Sequence, residues 1–137
     1  MAIDLENHRL FLGCGNKLMV MMDSGNGKVV ASVAIGQGVD AVKFDRGTKL
    51  AFSSNGEGTV TIAHEASPDK LTVVQTLKTE LRAKTMALDP KTHKIYLGSA
   101  KFESAAELPP PGKRPRPQMV AGSFKVLVYG PDKVAEK

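Results

Sequence analysis

The chain has 137 residues, 42% of them hydrophobic, and 19 Lys and Arg against 14 Asp and Glu give it a formal charge of +5. That length suits one domain with its own core, and a single cysteine, Cys14, excludes a disulfide framework or a thiolate metal centre. No apolar run reaches the roughly 20 residues of a membrane helix, and no secretory leader precedes the first motif, so the chain as written is expected in the cytoplasm.

In chain order, strands are predicted at residues 1–4, 9–14, 17–22 and 28–35, with the turn Asp23-Ser24-Gly25-Asn26-Gly27 between the last two. A second set follows at 40–45, 49–54, 59–65 and 71–78, broken by Asn55-Gly56-Glu57-Gly58 and by Ala66-Ser67-Pro68-Asp69. A third set opens at 85–89 and 94–99, then gives way to an insertion over 101–122 that carries Pro109-Pro110-Pro111 and Arg114-Pro115-Arg116-Pro117. One more strand is predicted at 123–129, and Pro131 with the charged tail occupies the place of a fourth.

The sets begin alike. Met-Ala-Ile-Asp ends at Asp4, Val-Lys-Phe-Asp at Asp45 and Met-Ala-Leu-Asp at Asp89, and a short polar turn follows each. The strands after those turns align as Arg9 to Cys14, Lys49 to Ser54 and Lys94 to Ser99. A period of about 40 residues is that of a propeller blade. The predicted fold is therefore all-β, a partial β-propeller of about three blades built from four-stranded antiparallel meanders, the last lacking its outer strand. The blades are set at 1–39, 40–83 and 84–130 within one domain. An array that does not close leaves edges and apolar faces uncovered, so a homo-oligomer is expected.

Three stretches resemble the YVTN family of β-propeller repeat proteins: Met86 to Tyr96, Asn16 with the strand ending in Asp23, and Gly27-Lys28-Val29-Val30. The best phase is similar to the carboxy-terminal three blades of a seven-bladed bacterial member, usually exported. The resemblance implies a propeller, a binding or surface scaffold as the common use, and lactonases among related propellers.

Alternate connections of a meander lie at opposite ends of the sheet. One rim therefore collects Cys14, Asn16, Gln37, Asp40, Ser54, Asn55, Glu57, Arg82, Lys84, Ser99 and the insertion. On it Asn16, Asp40, Asn55 and Glu57 offer oxygen ligands that suit calcium better than zinc. A calcium ion there would polarise the carbonyl of a lactone or ester, with Asp40 or Glu57 as base. The competing and preferred reading makes these four residues turn formers bonded to nearby backbone.

His8 and His93 recur at one place in two copies, and each is expected to close its own Asp-x-x-x-His turn. His64 and Glu65 occur in one copy alone; they offer an acid and base pair, but an exposed, hydrogen-bonded pair is the first reading. Cys14 is placed with Ser54 and Ser99 where packing wants a small residue, and Met19, Met21 and Met22 are assigned to the core. Ser53 and Ser54 lack a nucleophile elbow. Lys113, Arg114 and Arg116 form the one dense basic cluster and are the candidate contacts for an acidic partner; with no aromatics interleaved, nucleic acid is not expected.

Overall fold

The structure is a computed structural model, and it describes residues 1–103 and 117–132. Lys113, Arg114, Arg116 and most of the insertion lie outside the described residues. Among the described residues the chain is all strand and turn. The first sheet has the order β1 (Ala2–Asp4), β2 (Arg9–Cys14), β3 (Leu18–Asp23), β4 (Val29–Ala34). The second runs β5 (Val39–Asp45), β6 (Leu50–Asn55), β7 (Thr59–Ser67), β8 (Lys70–Lys78). The third contains β9 (Met86–Asp89), β10 (Lys94–Ser99) and β11 (Lys125–Tyr129), with no fourth strand among the described residues. All neighbours pair antiparallel, so each sheet is a meander. The three sheets are successive blades of an open, partial propeller.

Successive strand residues point to opposite faces, and each blade thereby presents a front towards the next blade and a back towards the one before. The front of blade 1 carries Phe11, Met19 and Met21, all fully buried, against Val42, Phe44, Ala51 and Ala63 on the back of blade 2. Phe11 stacks on Phe44 with ring centroids 4.6 Å apart. The front of blade 2 carries Phe52, Val60 and Ile62 against Met86, Ile95 and Leu97 on the back of blade 3. The cores thus lie between blades, as a repeat that cannot bury its faces alone requires. Met19 and Met21 are core as expected, while Met22 alternates onto the other face and is only half-buried.

Register counted from the motif aspartates corrects the alignment of the second blade by one residue. Asp4 pairs with Arg9, Asp45 with Leu50 and Asp89 with Lys94. Lys49 is therefore the counterpart of His8 and His93, and Cys14 corresponds to Asn55 and Ser99, not to Ser54. The backbone agrees: His8, Lys49 and His93 all have positive φ, 55°, 56° and 57°. Lys49 looked like Arg9 and Lys94 because each is a basic residue leading an apolar run.

Close approach of the blades is allowed by glycine. A Cβ on Gly13 would stand 2.5 Å from Cγ2 of Val39 and 2.9 Å from Cγ2 of Val42, both on β5. Arg9 ties the outer parts of the same two blades. Its guanidinium donates to Asp23 at 2.9 Å in blade 1, and to Asp69 at 2.9 Å and the Pro68 carbonyl at 2.5 Å in the turn between β7 and β8. The Asp69 pair is open to solvent and adds little, so the buried stem and the Asp23 and Pro68 bonds carry the effect. Arg9→Ala is expected to lower the unfolding free energy by about 2 kcal/mol, read by urea denaturation, whereas Lys94→Ala at the same place in blade 3 should change it by less than about 0.5 kcal/mol.

The two ends of the insertion pair as a ribbon. Phe102 bridges Met119, Glu103 N donates to Gln118 O at 2.9 Å and Val120 N to Lys101 O at 2.9 Å. The Arg82 guanidinium lies 5.5 Å from the Phe102 ring centroid, anchoring the ribbon to the neighbouring connection.

Candidate functional site

The rim singled out from the sequence is knit by backbone bonds. Gly56 N donates to Gly38 O at 2.8 Å, Thr79 N to Gly58 O at 2.8 Å and Arg82 N to Gly56 O at 2.9 Å, joining the connections of blades 1 to 3. Glu57 is bound into it. Its Oε2 accepts from Gln37 N at 2.9 Å and its Oε1 from Thr59 Oγ1 at 2.9 Å. The Gln37 amide and then the Thr59 hydroxyl hold its carboxyl below the ordinary range. Asn55 is fully buried; its Nδ2 donates to Thr59 Oγ1 and Thr61 Oγ1 at 3.1 Å each, and its Oδ1 meets no donor. Gly36 closes this pocket of polar atoms: a Cβ there would stand 2.5 Å from Thr59 Oγ1 and 2.7 Å from Asn55 Nδ2.

The four oxygen residues are not brought together as one set. Asn55 and Glu57 are joined through Thr59, but Asp40 is the extra residue of a bulge between Val39 and Ala41, and it is exposed, as is Asn16. Among the described residues no group of three or more His, Cys, Asp or Glu side chains converges to hold a metal. Glu57, moreover, spends one carboxylate oxygen on Gln37 of the neighbouring connection and the other on Thr59 of its own blade.

The opposite rim holds the most regular polar geometry in the chain. Each motif aspartate closes its own turn. Oδ1 accepts the amide two residues on, from Glu6, Gly47 and Lys91, at 3.0 Å in each case. Oδ2 accepts the side chain three residues on, from Asn7 at 2.9 Å, Thr48 at 2.9 Å and Thr92 at 2.7 Å. The residue four on, with its positive φ, does not close that turn. It reaches back to the aspartate of the preceding blade, where Lys49 Nζ lies 3.4 Å from Asp4 and 2.7 Å from Glu6, and His93 Nδ1 lies 2.7 Å from Asp45. The expected closure of a turn by its own histidine is thereby corrected.

Asp4 and Asp45, each clasped this way, are 0% and 1% exposed. Burial pushes Asp4 up, but the Glu6 amide, Glu65 and Lys49 outweigh it and hold the carboxyl below its usual value. Glu65 is the group that yields. Burial, then its hydrogen bond to Asp4 and the Asp4 charge, push it up to about 7, and its Oε2 meets no donor. Glu65 is thus buried towards blade 1, while His64, the next residue along the strand, points to the other face and is half-buried. The exposed His64 and Glu65 pair expected from the sequence does not form.

A cavity of about 340 Å³ opens between blades 2 and 3, lined by Leu50, Phe52, Ile62, Leu77, Ile95 and Tyr129, with Asp45, Thr48 and His93 on one side. β4 packs on β8 between blades 1 and 2, and among the described residues no outer strand of blade 3 lies on the far side of β8. The Asp45 and His93 pair has the geometry of an oriented base, yet Lys49 holds the equivalent place one blade earlier. Lys49, whose charge Glu6 and then Asp4 hold in place, makes the clasp without serving as a base, so the repeat assigns the pair to joining blades.

No family model matches the chain, and no curated protein matches it. Among solved structures it is similar to "Dihydro-heme d1 dehydrogenase NirN in complex with DHE", a propeller protein, with a TM-score of 0.56 and 15% sequence identity. The match covers 71% of this chain and 20% of that one. The likeness is one of fold. Neither the clasp nor the Asn55 pocket could be read from it, since identity at that level fixes no side chain. The recurring aspartate was visible in the sequence; its partner, 45 or 48 residues on, was not. No helix among the described residues is long and apolar enough to cross a membrane.

Proposed function

We propose that this chain is a β-propeller repeat scaffold, of YVTN type by its motif residues, that self-associates or holds a partner through its open blade faces and one loop rim. The observation that carries the reading is the fate of the front face. In blades 1 and 2 it is covered, whereas on blade 3 Val126 and Val128 remain 53% and 51% exposed. Adjacent apolar side chains left in water on a sheet face mark an association surface. The basic cluster Lys113, Arg114 and Arg116 is assigned to an acidic partner at the rim that bears the insertion. Light scattering on a sizing column over a hundredfold concentration range tests the first claim. An oligomer, or a mass that rises with concentration, is expected, and a monomer throughout would contradict it.

One observation favours a second reading, a calcium-dependent lactonase-like hydrolase using Asn16, Asp40, Asn55 and Glu57, with Asp40 or Glu57 as base. The buried Asn55 Oδ1 without a donor is an oxygen that a hard cation accepts. For the ion to bind, Glu57 would have to release Gln37 and Thr59. Melting with calcium and with chelator separates the two. The scaffold reading expects Tm to agree within about 1 °C, and a rise of several degrees that Asn55→Ala abolishes would favour the hydrolase.

A further inference from the structure

We propose that the chain joins a second copy of itself head to tail, the back of blade 1 in one copy docking on the front of blade 3 in the other, with His8 taking Asp89 as His93 takes Asp45. The inference rests on the association reading above and names its partner and its joint.

The two open faces are the two halves of a joint the chain already makes. On the back of blade 3, Met86, Leu88, Ile95 and Leu97 pack on blade 2 beside His93. Counted from the motif aspartate, the same places on blade 1 hold Met1, Ile3, Leu10, Leu12 and His8, a near copy. Among the described residues no sheet packs on that copy, and Met1 and Ile3 are 75% and 42% exposed.

The front of blade 2, which receives blade 3, offers Asp45 with Phe52, Ile62 and Val60, where Phe52 pairs across the sheet with Ile62 and Ser54 with Val60. Blade 3 offers Asp89 with Tyr96, Val128 and Val126, where Tyr96 pairs with Val128 and Gly98 with Val126. The sets match place for place. Among the described residues Asp89 accepts side-chain-directed bonds only from its own turn, Lys91 and Thr92. His8 has the same left-handed backbone that aims Lys49 and His93 backwards.

Hydrogen-bond complementarity therefore selects the occupant. An aspartate waits at one end and a histidine at the other, each flanked by the apolar set that its counterpart already accepts elsewhere in the chain. Such a contact is heterologous, because different patches meet. Two copies would bring together six sheets, inside the range of about four to eight blades with which propellers close.

The test uses two variants, Ile3→Asp to block the back and Val128→Asp to block the front, with Val126→Asp as a second front variant should circular dichroism show that Val128→Asp fails to fold. Masses are read by light scattering. Each variant alone is expected to be monomeric, and their mixture to give 1:1 dimers, since one intact back and one intact front remain. His8→Ala should weaken self-association of the otherwise unchanged chain about tenfold. If either blocked variant associates alone as the unchanged chain does, or if the mixture stays monomeric, the head-to-tail joint is overturned while the association reading stands. If the unchanged chain is itself monomeric at every concentration, both fall.

Discussion

Asp45→Ala should lower the unfolding free energy by about 3–4 kcal/mol, a fall in Tm of roughly 10 °C or more for a chain of this size. The carboxylate is buried and gathers three donors, the Gly47 amide, the Thr48 hydroxyl and His93 Nδ1. Its removal leaves a buried turn and the neighbouring blade without their common acceptor, and a hydrogen bond to a charged group contributes more than a neutral one. Asp89→Ala is the control. The same turn is closed there by Lys91 and Thr92, but among the described residues no following blade adds a clasp, so about 1 kcal/mol is expected in dilute solution. Differential scanning calorimetry on the two variants at one concentration compares them directly.

The second large effect is in pH. In the folded chain Glu65 keeps its proton up to about 7, because burial and then Asp4 oppose its charge. In the unfolded chain it releases that proton near its ordinary value, so the native state binds more protons across the interval between them. Stability from this group therefore falls as pH rises from about 4.5 to 7, by an amount on the order of 3 kcal/mol. Asp4, held low, acts with the opposite sign, and its contribution is lost only in more acidic solution as pH falls through its folded value. Glu65→Gln removes the charge while keeping the shape. The expected result is a Tm several degrees above that of the unchanged chain at pH 8, with the two curves meeting near pH 4.5. Equal Tm values at pH 8 would mean that Glu65 is ionised without penalty.

Strand positions were legible because each depends on neighbours in sequence. Alternation and Gly, Asn or Asp turns placed β2, β6 and β10 to within a residue or so of Arg9–Cys14, Leu50–Asn55 and Lys94–Ser99. The phase of the second blade was misread at one position for a chemical reason. Lys49 resembles the basic residues that open β2 and β10, and only pairing of Asp45 with Leu50 shows that it belongs to the turn.

What the sequence could not show is direction across a seam. His93 stands four residues past Asp89, so proximity suggested that aspartate, but a left-handed backbone turns the ring to Asp45 instead. Glu65 and His64 were read together for being adjacent, and adjacency in a strand is what separates them. The candidate ligand residues lie in or beside connections at one rim. Sharing a rim is weaker than converging on one point, and the bulge at Asp40 leaves that residue exposed beside the Asn55 pocket rather than in it.

A buried aspartate and a residue from the next blade form the joint of this repeat. A double-mutant cycle measures it most directly: urea denaturation of the unchanged chain, Asp45→Ala, His93→Ala and the double variant. A coupling energy of about 1–3 kcal/mol is predicted, since either single change removes the same contact. Additive losses, with coupling within about 0.3 kcal/mol of zero, would contradict the joint and leave the blades held by apolar packing alone.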